Sequence, residues 1–241
     1  MLQLTKTYDK CRAKKPRLTA VFIHGIASDS GSFNGLFEYL AQDEEMKDVR
    51  LVAFDLLGAG KSYTSDELEY NYDEQLEALY NAISNLDAED PLVLVGHSMG
   101  TMIVTRFASL HPELVQGLVL ISAPVYRKED IENPIFKKAM DGFRGAVATK
   151  GREILESKAF NNEIQNIVSD VTNYDYLVGL NKPTIIIYGE LDKLIAPFNI
   201  PAVLEANKNV TAVKTMGAHS VAKDKYSEIA KALKGFERGG K

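Results

Sequence analysis

The sequence of 241 residues predicts an α/β protein with a mostly parallel, doubly wound sheet of about eight strands and helices on both faces. Three observations support this prediction. Short apolar runs alternate with longer amphipathic segments, as they do in βαβ units. Most of the short runs are continuous stretches of Val, Ile and Leu, which is typical of strands covered on both faces. A serine flanked by glycines also lies where one of these runs meets a helical segment.

Six segments are the clearest strand candidates because they are short, rich in Val, Ile and Leu, and follow one another at the spacing of βαβ units. They are residues 19–23, 49–54, 91–95, 117–121, 183–188 and 209–214. The first fifteen residues or so are expected to add an antiparallel hairpin at one edge of the sheet.

Four segments repeat apolar residues at helical spacing. They are residues 33–46, 72–86, 101–110 and 221–236. The segment 101–110 is apolar on nearly every side, so it predicts a buried central helix.

One long segment interrupts the alternation of strands and helices. Residues 125–181 contain no convincing strand and consist of charged, helix-forming sequence broken by Pro134 and several glycines. This pattern predicts a helical cap inserted before a late strand. The core domain is then expected to comprise residues 1–124 and 182–241.

The composition is that of an ordinary globular protein, with 45% hydrophobic and 25% charged residues. A formal net charge of −5 argues against binding to nucleic acid, which requires clustered positive charge. No apolar run reaches the about 18 residues of a membrane span. Cys11 is the only cysteine, so no intrachain disulfide can form. The polar, basic start lacks the pattern of a secretory signal, and a cytoplasmic location is therefore expected.

The strongest motif is Gly-His-Ser-Met-Gly at residues 96–100. A serine on a sharp turn between strand and helix needs small neighbours, and Gly96 and Gly100 meet that need. The pattern G-x-S-x-G is expected by chance about once in ten chains of this length. Its position between a predicted strand and a predicted helix is what makes Ser98 a candidate nucleophile.

A serine nucleophile requires a histidine base, and in this type of site the base follows the serine and the acid along the chain. Only His111 and His219 come after Ser98. His111 ends the helix that Ser98 begins and lies well over about 12 Å away, at about 1.5 Å of rise per residue. His219 follows the last predicted strand, so we expect it to be the base.

The acid that orients the base should lie in a loop after a late strand. The strand 183–188 runs into Gly-Glu-Leu-Asp at residues 189–192, where both Glu190 and Asp192 are candidates. The loop after strand 117–121 offers no acid, since it reads Ser-Ala-Pro. The sequence pattern alone leaves the choice between Glu190 and Asp192 open.

Two backbone N–H groups should form an oxyanion hole for the charge that develops in the transition state. One is the amide of Met99, directly after the candidate nucleophile. The other is expected from Ile26, in the loop after strand 19–23, where Gly25 allows close approach of the chain.

Taken together, these motifs resemble those of the α/β-hydrolase superfamily along nearly the whole chain. The matching positions are His24-Gly25 with Phe33, residues 55–62, residues 96–100, residues 189–192 and residues 217–219. The resemblance implies a triad of Ser98, Asp192 and His219, and it favours Asp192 over Glu190. Residues 55–62 lack the proline often found there in the family, which is a difference in a loop.

The expected function is hydrolysis of small carboxylic esters through an acyl-enzyme, because a short cap suggests a modest pocket. A thioesterase or a carbon–carbon bond hydrolase of the same fold is the alternative within enzymes. A ligand-sensing protein that retains the triad is the alternative outside them. We expect no metal and no organic cofactor. The expected partner is a small-molecule ester, and the cap is compatible with a homodimer.

Overall fold

A seven-stranded sheet forms the centre of the computed structural model, which describes residues 2–89, 91–130, 152–169, 172–192, 194 and 199–236 and single positions between 131 and 151. The strands in these ranges are β1 (Thr5–Lys10), β2 (Leu18–Ile23), β3 (Val49–Asp55), β4 (Leu92–His97), β5 (Gly117–Ile121), β6 (Thr184–Gly189) and β7 (Val210–Thr215). Their order across the sheet is β1-β3-β2-β4-β5-β6-β7.

Strand direction agrees with the predicted doubly wound sheet. Strands β2 to β7 pair in parallel, and β1 alone among the described strands is antiparallel, pairing with β3 at the edge. The six predicted strands are all present, with ends that differ by a residue or two. The edge is a single strand rather than the expected hairpin, because β1 pairs with β3 and not with the following β2.

Helices connect the parallel strands. Those in the described residues are α1 (Asn34–Ala41), α2 (Tyr72–Ser84), α3 (Met99–Leu110), α4 (Arg152–Glu156), α5 (Lys158–Glu163), α6 (Asn173–Gly179), α7 (Ile200–Ala206) and α8 (Lys223–Gly235). The four predicted helices are among them, although α1 ends at Ala41 and a separate 3-10 turn follows at Glu44–Met46. None of the described helices is long and apolar enough to cross a membrane.

The sheet separates two buried apolar clusters, one on each face. Val21 and Ile23 of β2 face the cluster that contains α2 and α3, whereas Ala20 and Phe22 face the cluster that contains α1 and α8. Because alternate residues of a strand point to opposite faces, a strand that is covered twice must be apolar throughout. This explains the continuous apolar runs of the sequence.

The described residues between β5 and β6 form helices and loops and include no strand. Helix α5 continues into a π-helical turn, Ile164–Val168, and Phe160, Ile164 and Ile167 pack into the same apolar cluster as α3. Most of residues 131–151, and residues 170 and 171, lie outside the described residues. The division into a core and a cap at 125–181 therefore remains a prediction.

Candidate active site

Ser98 lies at the junction of β4 and α3 with φ 52° and ψ −121°, a left-handed conformation that non-glycine residues rarely adopt. A Cβ atom on Gly96 would lie 2.7 Å from the Thr101 nitrogen, and one on Gly100 would collide with the Ile23 carbonyl. The turn around Ser98 can therefore close only because Gly96 and Gly100 have no side chain. The turn places Ser98, which is 7% exposed, at the carboxyl end of β4.

Ser98, His219 and Asp192 form a continuous hydrogen-bonded chain. Ser98 Oγ lies 2.9 Å from His219 Nε2, and His219 Nδ1 lies 2.9 Å from Asp192 Oδ2. A carboxylate can only accept, so Nδ1–H donates to Asp192 and leaves Nε2 to accept from the serine hydroxyl. Asp192 Oδ1 accepts from the Leu194 amide at 2.9 Å, which fixes the orientation of the carboxylate.

The structure brings Asp192, and not Glu190, to the histidine. The Glu190 side chain is 47% exposed and its Oε1 lies 3.2 Å from Lys214 Nζ, whereas the Asp192 side chain is 2% exposed. The Asp192 amide donates to the Gly189 carbonyl at 3.2 Å and closes a tight turn. This turn directs the side chain of Asp192 toward His219, the arrangement that the resemblance implied.

The loop that carries His219 is held by the side chains of Lys225 and His97. Lys225 is fully buried, and its Nζ donates to the Ala218 carbonyl at 2.5 Å and to the Ser220 carbonyl at 3.0 Å. His97 Nε2–H donates to the His219 carbonyl at 2.9 Å, because a carbonyl can only accept. Burial lowers the pKa of His97 to about 3, so its ring is neutral at physiological pH. The carbonyl groups of Ala218, His219 and Ser220 are thus all held by hydrogen bonds.

Replacement of Lys225 by methionine is expected to lower kcat by about 10- to 100-fold, because a base that is displaced by about 1 Å loses that much rate. KM should change little, since the bonds of Lys225 Nζ to described residues go to the histidine loop and to Asp224. Steady-state kinetics with an aryl ester would measure this split. Lys223→Met is the matched control, since that lysine is exposed in the same helix. An unchanged kcat in folded Lys225→Met would contradict the positioning role.

Neither the Ile26 amide nor the Met99 amide donates a hydrogen bond to another of the described residues. Met99 is the first residue of α3, where the helix dipole favours negative charge. A Cβ atom on Gly25 would lie 3.0 Å from Ser98 Cβ, so the loop of Ile26 passes directly beside the serine. Both predicted donors therefore remain free for a ligand oxygen.

The loop after β2 that carries Ile26, the proposed oxyanion loop, is itself anchored by His24. Its Nδ1–H donates to the Gly25 carbonyl at 2.8 Å, and its Nε2 accepts from the Leu56 amide at 2.9 Å. Burial lowers the pKa of His24, which keeps the imidazole neutral and suited to both contacts. The loop after β2 is in this way tied to the end of β3.

The remaining histidine, His111, is remote from the serine. Its ring packs against Tyr80 and Phe107, with centroids 4.8 Å and 4.9 Å away, at the far end of α3. Among the described residues no three histidine, cysteine or acidic side chains are grouped as a metal site would require.

Sequence reasoning missed Lys225 and the buried Glu163 of α5. Each is a charged residue on an otherwise apolar helical stripe: Lys225 lies between Val221 and Ile229, and Glu163 follows Phe160 and precedes Ile167. Charged groups are rarely buried without a partner. A charged residue within an apolar stripe was therefore the sequence signal that could have pointed to Lys225 and Glu163.

Residues 21–165 match the sequence profile of the alpha/beta hydrolase fold, which is more than half of the chain. An Arabidopsis thaliana protein named "Probable lysophospholipase BODYGUARD 2" is 30% identical over 114 residues, or 47% of this chain. That alignment spans only 24% of the plant protein.

Two further matches extend over almost the whole chain. The uncharacterized hydrolase YugF of Bacillus subtilis is 24% identical over 252 aligned positions, covering 91% of this chain and 90% of YugF. The solved structure of a thioesterase domain from the curacin biosynthetic pathway superposes with a TM-score of 0.68 at 20% identity, over 98% of both chains. At that identity the likeness shows the fold alone.

Proposed function

The chain belongs to the α/β-hydrolase fold family, and on this premise we propose that it is a serine hydrolase that cleaves small carboxylic esters. The observation that carries the proposal is the pair of 2.9 Å contacts that joins Ser98 to His219 and His219 to Asp192. A serine in this position has a base for its proton, and the base has an acid that fixes its tautomer.

In the proposed first step, Ser98 Oγ attacks the ester carbonyl carbon while its proton moves to His219 Nε2. The carbonyl π electrons move to the oxygen, and the Ile26 and Met99 amides stabilise the resulting oxyanion. Loss of one such donor costs about 10²- to 10³-fold in rate in comparable sites. Asp192 accepts from Nδ1–H throughout and stabilises the imidazolium without taking its proton.

The tetrahedral intermediate then collapses. The bond to the alcohol oxygen breaks, and His219 Nε2 returns its proton to the departing alkoxide, so an alcohol leaves and an acyl-Ser98 ester remains. Water repeats the sequence: it attacks the acyl carbon, His219 takes its proton, and the bond to Ser98 Oγ breaks with reprotonation of the serine. The products are a carboxylic acid and the free enzyme.

A cavity of about 360 Å³ supports a small substrate. It lies between residues 27–29, residues 58–60 and the helices α4 and α5, so it borders the loop that carries Ile26, while Ser98 and His219 lie outside its described lining. Sites for small molecules have volumes of about 300 to 1,000 Å³, and this cavity lies near the lower limit.

A series of p-nitrophenyl esters from acetate to dodecanoate tests the proposal. We expect kcat/KM to rise by about fourfold for each methylene that still fits the pocket, the gain from burying one CH₂ group. It should then fall once the chain exceeds the cavity, with the maximum among the short acyl chains. Turnover should continue far beyond one equivalent of enzyme.

Two outcomes would contradict this function. Release of a single equivalent of nitrophenol would favour a ligand-sensing protein that is acylated but not regenerated. A maximum at dodecanoate would exclude a small acyl group. The matching S-acyl thioesters, measured in parallel, would identify a thioesterase if their kcat/KM exceeded that of the oxygen esters.

A further inference from the structure

Glu163, at the end of α5, is a buried carboxyl group that the proposed mechanism does not use. Its side chain belongs to a residue that is only 5% exposed. Oε1 lies 3.4 Å from Gln75 Nε2, and Oε2 accepts no hydrogen bond from any described residue. No ion pair with a described lysine, arginine or histidine compensates its charge. A carboxyl group in such a position is costly unless it is neutral or meets a cation.

Gln75, the described hydrogen-bond partner of the Glu163 carboxyl group, is already bonded to the backbone of Leu57. Gln75 Oε1 accepts from the Leu57 amide and Gln75 Nε2 donates to the Leu57 carbonyl, both at 3.1 Å. The amide is thus satisfied by the backbone, and the longer contact to Glu163 adds little. Burial raises the pKa of Glu163 to about 8, so the acid is mainly neutral at pH 7 in the empty protein.

Glu163 lines the cavity beside the oxyanion loop together with two further acidic side chains, Asp29 and Glu153. No lysine or arginine is among the described residues that line it. Phe160 is also among the residues that line the cavity. Carboxylates and an aromatic face are the groups with which proteins bind ammonium ions.

We propose that this cavity binds a cationic group of the substrate, so that the preferred ester carries a protonated or quaternary ammonium. The inference rests on the proposed esterase function, because it assigns the substrate class of the same site. Ala27 lines the cavity and directly follows Ile26, so about 3.8 Å of chain separates the cavity wall from the proposed oxyanion donor. The cavity therefore borders the proposed oxyanion loop, and Ser98 and His219 lie outside its described lining.

The charge of the lining selects among ligands. An anionic group would meet Asp29, Glu153 and, once ionised, Glu163 with no cation among the described lining residues to balance it. A neutral alkyl group would leave Glu163 Oε2 without a partner. An ammonium group brings a positive charge beside that oxygen, through N–H donors when it is protonated and through its charge alone when it is quaternary.

Isosteric ester pairs measure this selectivity directly. The first pair is acetylcholine and 3,3-dimethylbutyl acetate, which differ only by the charge on the alcohol side. The second pair is phenyl 4-(trimethylammonio)butyrate and phenyl 5,5-dimethylhexanoate, which differ by the charge on the acyl side. We expect kcat/KM to favour the cation by about tenfold or more in at least one pair.

Glu163→Gln should abolish that preference, because it removes the charge and keeps the shape. Its melting temperature at pH 8 should equal or exceed that of the wild type, since no buried acid then has to ionise. Glu113→Gln is the matched control, because it removes the same charge from an exposed position after α3. It should keep the full preference.

A binding measurement separates this inference from the esterase function. Choline and 3,3-dimethylbutan-1-ol are titrated calorimetrically into Ser98→Ala, and choline should bind about tenfold more tightly or better. If no ester is turned over but choline binds in a Glu163-dependent way, the esterase function fails and the cation site stands. If the neutral esters are turned over and neither assay distinguishes charge, the cation site is wrong and the esterase stands.

Discussion

Ser98→Ala is expected to lower kcat/KM for p-nitrophenyl butyrate by about 10⁴-fold or more, the loss seen when a serine nucleophile with an intact base is removed. The reason is that no other described nucleophile lies within hydrogen-bond distance of His219 Nε2. Binding should be retained, because the proposed oxyanion donors, the amides of Ile26 and Met99, belong to the backbone. A fluorophosphonate probe should label the wild type with one equivalent and the variant not at all.

Ser122→Ala is a sharp control for this experiment. Ser122 follows the neighbouring strand β5, is buried and has a positive φ of 51°, nearly the same φ as Ser98. Its Oγ has no hydrogen-bond partner among the described residues, so nothing in them activates it. We expect its replacement to leave labelling intact and kcat/KM within about threefold of the wild type.

The comparison has a clear contrary outcome. Persistent labelling of Ser98→Ala, together with its loss in Ser122→Ala, would move the nucleophile to β5. Equal activity of both variants and the wild type would show that ester cleavage does not depend on a serine at this edge of the sheet. Melting temperatures of the three proteins would exclude unfolding as the cause of any loss.

The strands could be predicted because both faces of this sheet are covered. Each central strand then consists almost entirely of apolar residues, and β5 is an example in which all five residues are buried. Helix α7 was missed because its seven residues are too few to show a helical repeat of apolar positions. Pro201 also argued against a helix, although proline is well accommodated in the first helical turn.

The order of the site residues was also predictable, because the carboxyl ends of parallel strands meet at one edge of the sheet. Ser98 follows β4, Asp192 follows β6 and His219 follows β7, which places all three at that edge. What the sequence pattern alone left open was the acid. Glu190 and Asp192 are two residues apart, and only the conformation of the turn decides which side chain reaches His219.

The supporting side chains depend on contacts between distant parts of the chain. Lys225 reaches the carbonyls of Ala218 and Ser220 only after α8 docks beside the β7 loop, and Glu163 meets Gln75 across 88 positions of sequence. A charged residue on an apolar stripe signals that such a partner exists. It does not indicate which group that partner is.

Asp192→Asn is expected to lower kcat by about 10⁴-fold, because the amide disturbs the tautomer of the base. The side-chain NH₂ introduced by this substitution can donate to His219 Nδ1, which would then carry the lone pair and leave the proton on Nε2. An imidazole in that form cannot accept the proton of Ser98. Loss of the negative charge also removes stabilisation of the imidazolium that forms during attack.

Glu190→Gln is the matched control, since it makes the same chemical change two residues away in the same turn. Glu190 is half-exposed and forms an ion pair with Lys214 at 3.2 Å, an interaction worth about 0 to 1 kcal/mol at a surface. We expect its kcat and KM to stay within about twofold of the wild type. Initial rates and the rate of fluorophosphonate labelling would be measured for both variants.

Comparing the rates of the two variants identifies which carboxylate orients His219. A difference between them cannot be explained by structural damage or by general electrostatics. Both variants lose one negative charge from the same turn, so a long-range effect of charge on the site would lower both rates alike. A fall confined to Asp192→Asn requires a specific contact, which is the 2.9 Å bond to His219 Nδ1. A fall confined to Glu190→Gln would instead show that the turn rearranges in solution and that Glu190 orients the base.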